Sequence, residues 1–328
     1  MMYKQAFLFF FSFGCLALSG AHNINYDDLP LELQIPWTTG PILTPSARTL
    51  PKGHINFQPY VFYSEVQGHF DNHWKLETGS NAENVNFETW ITYGLTDWMD
   101  VTLMGQFFSN IKGGNSYTAL GNSLLGFDFQ LLKEDLKGYT PAVKLILCEV
   151  FPTGSYNDLD YTEGGLDVTG DGSYSTKIAI VFGKTYHIKD FIWVNTRYSF
   201  GYFYFSPVKV KGFNTYGGGF NTYGTVTRWG SLPISVGVEL TLTRNLAVAF
   251  DILSLLGGPN KFKGNPGFTD LGVAPNIGNK RVYQLSIAPA VEWSFSPQLG
   301  LICGGWFSLY GHNADKFSSF VFSINIYK

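Results

Sequence analysis

Apolar and polar residues alternate along much of the chain, most clearly from residue 232 to residue 252. The first arm of this segment places five apolar residues on one face, namely Ile234, Val236, Val238, Leu240 and Leu242. Its other face carries Ser235, Gly237, Glu239, Thr241 and Thr243. A period of two residues is the signature of a β-strand whose two faces meet different surroundings. The alternation resumes from Leu246 to Ile252 after a short polar connection, so the segment predicts an antiparallel hairpin.

The same pattern recurs along the chain and predicts twelve strands. They lie near residues 55–66, 84–95, 100–109, 121–132, 141–151, 174–186, 190–205, 231–243, 245–253, 281–294, 298–309 and 317–327. Most exceed the roughly 5–6 residues of an average globular strand and suit the about 9–11 residues with which a tilted strand crosses a bilayer. Short connections alternate with three long ones rich in Gly, Asn and Asp, at residues 152–173, 206–230 and 254–280. Short turns at one end and long loops at the other are typical of a transmembrane barrel.

The two faces of the predicted strands differ in chemistry as lipid differs from a barrel interior. The apolar faces carry almost no charge, whereas the opposite faces hold a small set of polar side chains. In a soluble sandwich or lipocalin the polar face would meet bulk water and carry many Lys and Glu residues. We therefore predict an all-β fold, a single closed antiparallel transmembrane β-barrel of about twelve strands, with short periplasmic turns and long extracellular loops. The residues predicted to line its lumen are Glu88, Trp90, Gln106, Phe108, Arg197, Glu239, Asp251 and Glu292.

The amino-acid composition agrees with a barrel whose outer surface is surrounded by lipid. Aromatic residues make up 17% of the chain and charged residues only 14%, and the formal net charge is -3, so no basic field favours nucleic acid as a partner. Aromatic residues beside the short turns predict one interfacial girdle, formed by Trp98, Tyr139, Tyr186, Trp193, Trp293 and Phe295. Those near the long loops predict a second girdle, formed by Tyr63, Phe108, Phe205 and Tyr310.

Two segments precede the barrel. Residues 1–21 have a charged start, an apolar middle and a small-residue end, which predicts a secretory signal peptide, because the apolar stretch is shorter than the about 20 residues of a membrane anchor. Residues 22–53 carry five prolines and predict an irregular segment that either hangs in the periplasm or partly plugs the lumen. Residues 54–328 form the predicted barrel. A barrel with a secretory signal indicates the bacterial outer membrane, with its lipid, its lipopolysaccharide and the barrel-assembly machinery as partners.

Linear signatures of enzymes are missing. The sequence has no Walker loop, GxSxG elbow, HExxH helix or paired CxxC, and we predict no catalytic residues, no cofactor and no metal site. The strongest alternative is a catalytic or metal-binding role for His69, Asp71 and His73, in the first predicted long loop. The acidic loop at 157–172 is interpreted as a solvated loop, and the duplicated Gly-rich segment at 212–224 as a flexible loop tip.

A resemblance to a known family is carried by the order and spacing of five segments. These are "TTGPILTPSARTLPKGHINFQPYVFY", "YGLTDWMDVTL", "GNSLLGFDFQLL", "PAVKLILCEVFPTGSY" and "FSPQLGLICGGWFSLY", and they span most of the chain from about Thr38. They resemble the outer-membrane family named for the meta pathway of phenol degradation. The resemblance implies an outer-membrane barrel that serves as a channel for small, often aromatic or apolar, molecules, and it supplies no catalytic residues to transfer.

The leading functional hypothesis is therefore passage of small solutes through the barrel, with apolar or aromatic molecules as candidates. Twelve strands should leave a narrow lumen, because eight-stranded barrels are filled by side chains and barrels of 16 strands hold open water. Pairing of the lumen charges with one another would instead close the barrel. A surface or adhesion barrel that acts through its loops is the second hypothesis, and an outer-membrane hydrolase is the third.

Overall fold

The computed structural model describes residues 34–278 and 280–328, apart from the side chains of residues 80 and 81. The predicted signal peptide, residues 1–21, lies outside the described residues, as do residues 22–33. No helix in the described chain is long and apolar enough to cross a bilayer.

Sixteen strands occur in the described chain. They are β1 (Ile55–Phe70), β2 (Leu76–Thr96), β3 (Met99–Lys112), β4 (Asn115–Leu120), β5 (Ser123–Leu132), β6 (Ala142–Phe151), β7 (Ser175–Lys189), β8 (Ile192–Phe205), β9 (Val208–Lys211), β10 (Tyr223–Thr227), β11 (Ser231–Thr241), β12 (Leu246–Gly257), β13 (Lys261–Asn265), β14 (Val282–Ser296), β15 (Leu299–His312) and β16 (Ala314–Tyr327).

Twelve of these strands form one closed antiparallel barrel, which confirms the predicted fold. In order around the wall they are β1, β2, β3, β5, β6, β7, β8, β11, β12, β14, β15 and β16. The first and last strands pair from Asn56 with Tyr327 to Phe70 with Ala314, and this pairing closes the sheet. Closure matters because backbone groups at an open sheet edge would be unsatisfied in lipid. Each of the twelve predicted strands overlaps one strand of this barrel.

The alternation of the sequence maps onto the two faces of the wall. Along β11, β12 and β14, the side chains of Val238, Phe250 and Val291 are 38%, 41% and 49% exposed on the outer face. Glu239 and Asp251, on the inner face of β11 and β12, are fully buried. An outer face of exposed aliphatic and aromatic side chains, around a polar inner face, is the arrangement of a barrel that lipid solvates.

The two ends of the barrel differ in their connections. At one end, here the short-turn end, the strands are joined by brief turns such as residues 97–98, 242–245 and 297–298. At the other, the loop end, long connections follow β6, β8 and β12. The prediction of a long loop between the first two strands is wrong, because β1 and β2 extend as far as a tight turn at residues 71–75.

Asp71 stabilises that tight turn and is occupied by it. Its Oδ1 accepts the backbone N–H groups of His73 at 2.7 Å and Lys75 at 2.9 Å. The hydrogen bond from Lys75 lowers the pKa of Asp71 below its usual value. His69 contacts Asp315 of β16, at 3.0 Å between Nδ1 and Oδ1. Asp71 and His69 thus both take part in contacts of the β1–β2 hairpin and of the neighbouring β16.

The long loops form a packed cap at the loop end. The strands β9, β10 and β13 make a three-stranded sheet, and Val208, Val210, Tyr216 and Val226 form a buried cluster on it. The phenol of Tyr216 donates to the carbonyl of Asp171 at 2.6 Å, and burial raises its pKa to about 12. The expectation that the duplicated segment is a flexible tip is therefore wrong, because its first copy buries a tyrosine in this cluster.

Three members of the predicted girdles lie on the inner face instead. Trp193 is 3% exposed and stacks on His187 with ring centroids 4.5 Å apart. Phe108 is paired with Asn86 and Phe205 with Ser175, and both partners belong to the buried inner face. The cause is parity, because a residue one step from an outward position points inward. The remaining girdle residues are exposed, and they are Tyr63, Trp98, Tyr139, Tyr186, Trp293, Phe295 and Tyr310.

The two-faced wall predicts that an arginine destabilises the protein more on the outer face of a strand than on its inner face. Val291→Arg places a charge on the outer face of β14, where it should lower the free energy of unfolding by about 2 kcal/mol or more. Gln284→Arg is the control, because Gln284 lies on the inner face of the same strand. Both are measured by guanidinium unfolding in lipid vesicles. Equal losses in the two variants would contradict the assigned faces.

Candidate functional site

An extended segment of the N-terminal region lies inside the barrel at the short-turn end. This inner segment, residues 36–53, contacts inner-face residues of β3, β5, β7, β12 and β14. Its prolines prevent it from forming a regular helix or strand, so its backbone N–H groups need other acceptors. Side chains of the barrel wall supply them.

The first limb of the inner segment is bound by two buried carboxylates. Glu292 Oε2 accepts the N–H of Thr39 at 2.8 Å, the Thr39 hydroxyl at 2.8 Å and the N–H of Gly40 at 3.1 Å. Asp251 accepts the N–H groups of Leu43 and Thr44, each at 3.0 Å. These five hydrogen bonds hold Thr39, Gly40, Leu43 and Thr44 against the inner face of β12 and β14.

The second limb returns along the opposite wall. Gln130 of β5 accepts the N–H of Thr49 at 2.8 Å and donates to the carbonyl of Ala47 at 3.0 Å. Asp100 of β3 accepts the N–H of Leu50 at 2.8 Å. Arg48 bonds to Glu134, in the turn after β5. The chain therefore crosses the lumen from the β12–β14 wall to the β3–β5 wall before it enters β1.

Glycines in the wall make room for this segment. A Cβ on Gly183 would lie 2.6 Å from the Cβ of Ala47, and one on Gly304 would lie 2.8 Å from Cδ1 of Ile42. A Cβ on Gly237 would lie 2.8 Å from Cγ of Pro41. Such separations are too short for carbon atoms. The wall is thus shaped to a chain that packs against it.

Apolar contacts also hold the inner segment against the wall. Ile42 packs on a cluster of Ala249, Ala290 and Ile302. On the other wall, Ala47 belongs to a buried cluster with Ala142, Ile146, Ala179 and Val181.

The eight residues predicted to line the lumen all lie at inner-face register positions, but in two groups. Asp251, Glu292 and Arg197 contact the inner segment, and Glu239 lies near them on the inner face of β11. Of these, Glu239 accepts the amide of Asn195 at 2.6 Å. Glu239 Oε2 and Glu292 Oε1 are buried without a hydrogen-bond partner among the described residues.

The second group lies on β2 and β3, away from the inner segment. Glu88 accepts hydrogen bonds from Asn86 at 2.7 Å and from Trp90 Nε1 at 3.0 Å. Gln106 faces Glu88 across the β2–β3 pair, and Phe108 lies one inner position further toward the loop end. The carboxylates of both groups are thus bound mainly by neutral donors rather than by arginine or lysine.

Sequence reasoning missed several residues that hold the inner segment. Asp100, Gln130 and Glu134 were not identified. Lys144 was missed as well; it does not touch the segment but forms a buried ion pair with Asp128 at 2.6 Å. The signal that could have found the first two is parity, because they share the inner face with Asp128. Glycines that repeat on inner positions were a second signal, because they mark where another chain approaches closely.

Aromatic side chains line the wall beyond the inner segment, on β1, β15 and β16. Tyr60 stacks on Phe62 with centroids 5.6 Å apart, and Phe62 meets the edge of Trp306 at 6.4 Å. Trp306 in turn meets Phe317 at 4.9 Å. This aromatic strip offers apolar contact to a small molecule inside the barrel.

The glycines of the wall that contact the inner segment predict a substitution that displaces it. Gly183→Val adds a side chain where Ala47 lies, so we expect hydrogen exchange of the Thr39, Gly40, Leu43 and Thr44 amides to accelerate by roughly tenfold or more. Gly105→Val is the matched control, because nothing lies within 4 Å of a Cβ built there. Unchanged exchange in Gly183→Val, with the barrel intact by circular dichroism, would contradict the close contact between the inner segment and the wall.

Comparisons with known proteins support the fold. No family model matches the chain, and no curated protein matches it. An outer membrane channel from Pseudomonas putida F1 is similar in structure, with a TM-score of 0.65 and 13% identity over 88% of this chain and 100% of that one.

Two further solved structures are more distant. The translocator domain of the autotransporter NalP from Neisseria meningitidis has a TM-score of 0.43 and 10% identity, over 84% of this chain and 89% of that one. The CymD monoaromatic hydrocarbon channel has a TM-score of 0.37 and 13% identity, over 85% and 89%. Of the three, the Pseudomonas channel alone is similar enough to support an argument, and it supports the barrel fold of outer-membrane proteins.

Proposed function

We propose that this protein is a bacterial outer-membrane channel or transporter for small solutes, and that the inner segment is a plug that closes it at rest. The proposal rests on the observation that a segment of the N-terminal region, and not side chains of the wall alone, fills the short-turn half of the barrel. The wall there is lined with Gly and Ala, and the space is occupied by residues 36–53. A barrel filled by its own wall has a fixed interior, whereas a chain segment held by hydrogen bonds can leave.

The membrane assignment rests on the outer face. Large apolar side chains are exposed around the wall, among them Leu103, Phe107, Phe200, Phe250, Val291 and Phe320. Exposure of such a surface to water is unfavourable, whereas lipid and lipopolysaccharide would solvate it. The predicted signal peptide directs export, and assembly into the outer membrane would require the barrel-assembly machinery. In this orientation the short-turn end faces the periplasm.

The solute class follows from the wall beyond the plug. The strip of Tyr60, Phe62, Trp306 and Phe317, with Trp90 on the neighbouring strand, favours a small apolar or aromatic molecule. The resemblance to the family named for phenol degradation points the same way. The Pseudomonas structure that is similar in fold is also that of a channel.

The alternatives find less support. An adhesion barrel needs a contact patch on its loops, and the exposed Phe220, Phe268 and Leu271 could supply one, but such a role does not account for a plug inside the lumen. A hydrolase needs a nucleophile beside a base, and the best candidate for such a role, the turn around Asp71, uses its carboxylate to bind backbone N–H groups. We propose no catalytic activity.

Deleting the plug should open the channel. We expect the protein without residues 22–53 to show larger and longer openings than the full chain in planar bilayers, because the lumen beside Asp251 and Glu292 is then empty. Single-channel conductance is the measurement. Absence of conductance from both correctly folded proteins would refute a water-filled pathway.

A single substitution should weaken the plug without removing it. Glu292→Ala removes the acceptor of three hydrogen bonds from Thr39 and Gly40, a loss of about 1–2 kcal/mol, so the open probability should rise roughly 5–30-fold. Glu88→Ala is the matched control, because Glu88 bonds to Asn86 and Trp90 rather than to the plug. Equal open probabilities in the two variants would show that Glu292 does not hold the closed state.

A further inference from the structure

A cavity of about 190 Å³ lies between the plug and the wall formed by β7 and β8. Residues of the plug form one side, and residues of the wall and of the turn after β5 form the other. Its lining includes Thr39, Arg48, Glu134, Lys184, Asn195 and Arg197. The side chain of Arg48 is 52% exposed, so the cavity communicates with solvent at the short-turn end.

Positive charge exceeds negative charge in this lining. Three cations, Arg48, Lys184 and Arg197, stand against one carboxylate, Glu134. Glu134 is 4% exposed and is shared by Arg48 and by Lys184, whose Nζ lies 3.4 Å away. It also accepts the N–H of Thr185 at 2.6 Å. This carboxylate is therefore saturated. The other nearby carboxylates, Glu239 and Glu292, bond to the lining residues Asn195 and Thr39 rather than to a cation.

Arg197 is the cation without a partner. Among the described residues it forms no ion pair and no hydrogen bond, although it lies on the inner face of β8. The oxygens of Asp251, the carboxylate that attracts it, are taken by the N–H groups of Leu43 and Thr44. A buried or half-buried guanidinium has five donors in a fixed plane, which suits a carboxylate or phosphate.

The plug positions that guanidinium. Gly40 has a φ of +102°, and a Cβ at this residue would lie 2.1 Å from Nη1 of Arg197. Only glycine fits the left-handed backbone and the close approach. The neutral donors of the lining are already engaged, because the Thr39 hydroxyl bonds to Glu292 and the Asn195 amide bonds to Glu239. The guanidinium of Arg197 remains in the lining without a hydrogen bond among the described residues.

We propose that this cavity binds a small oxyanion, a carboxylate or a phosphate, through Arg197 and Arg48. Arg48 belongs to the plug and Arg197 to the barrel wall, so a bound anion bridges the two. Because the cavity exists only when the plug is seated, the anion stabilises the closed state. This inference requires a seated plug and does not depend on what the channel carries.

Isothermal titration calorimetry on the full refolded protein in detergent tests the site, with sodium benzoate as the carboxylate probe and sodium phosphate as the second probe at constant ionic strength. We expect saturable binding of at least one probe to the wild type, and the tighter of the two identifies the anion class. Arg197→Gln should weaken that binding by about tenfold or more, because charge-assisted hydrogen bonds are lost.

Two further variants separate the site from general charge effects. Arg281→Gln removes an exposed arginine near the loop end and should bind as the wild type does. Arg48→Gln should weaken binding as Arg197→Gln does, and it serves as the second variant if Arg197→Gln does not fold. Absence of saturable binding in the wild type, or equal affinity in Arg197→Gln, Arg48→Gln and Arg281→Gln, would overturn the proposal.

The link to the plug has its own readout. The bound probe should slow hydrogen exchange of the Thr39 and Gly40 amides in the wild type but leave it unchanged in Arg197→Gln. Binding without such slowing would overturn the bridge between plug and wall. Neither measurement uses transport, so a failed site in a conducting protein leaves the channel proposal standing, and saturable binding in a non-conducting protein does the reverse.

Discussion

The structure depends on one constraint, which is that every backbone N–H and C=O group must find a partner inside the protein. In lipid no water is present to replace a missing hydrogen bond, and each such loss costs several kcal/mol. The closed pairing of β1 with β16 answers this constraint for the wall. It also fixes the alternation, because once every strand is paired on both sides, each side chain can point only to lipid or to the lumen.

The same constraint explains the chemistry of the lumen. Residues 36–53 cannot pair as a strand, so their N–H groups bind the side chains of Glu292, Asp251, Gln130 and Asp100. Carboxylates that would repel one another in an empty lumen thus become acceptors for a chain. Three acidic lumen residues, Asp100, Asp251 and Glu292, hold the inner segment, whereas Asp128 forms an ion pair with Lys144.

Charge is distributed unevenly around that segment. The wall of β12 and β14 is acidic and occupied by backbone donors, whereas the wall of β7 and β8 leaves Arg197 without an acidic partner in the described chain. The segment lies between the two and touches both. Its position couples the two walls, so the closed state and the proposed anion site have a common structural origin in the way Gly40 and Arg48 are placed.

The sequence by itself determined the barrel, its strand number and the faces of its strands, because a period of two residues is a local property and lipid demands a sharp contrast between faces. It determined that Glu239, Asp251 and Glu292 point inward for the same reason. Only the tertiary structure decided what these residues bind. Thr39 and Glu292 are 253 residues apart in the sequence, and Thr44 and Asp251 are 207 apart. An irregular proline-rich segment has no periodic pattern from which such partners could be predicted. The packed cap was hidden likewise, because the burial of Tyr216 arises from three loops meeting rather than from its neighbours in the chain.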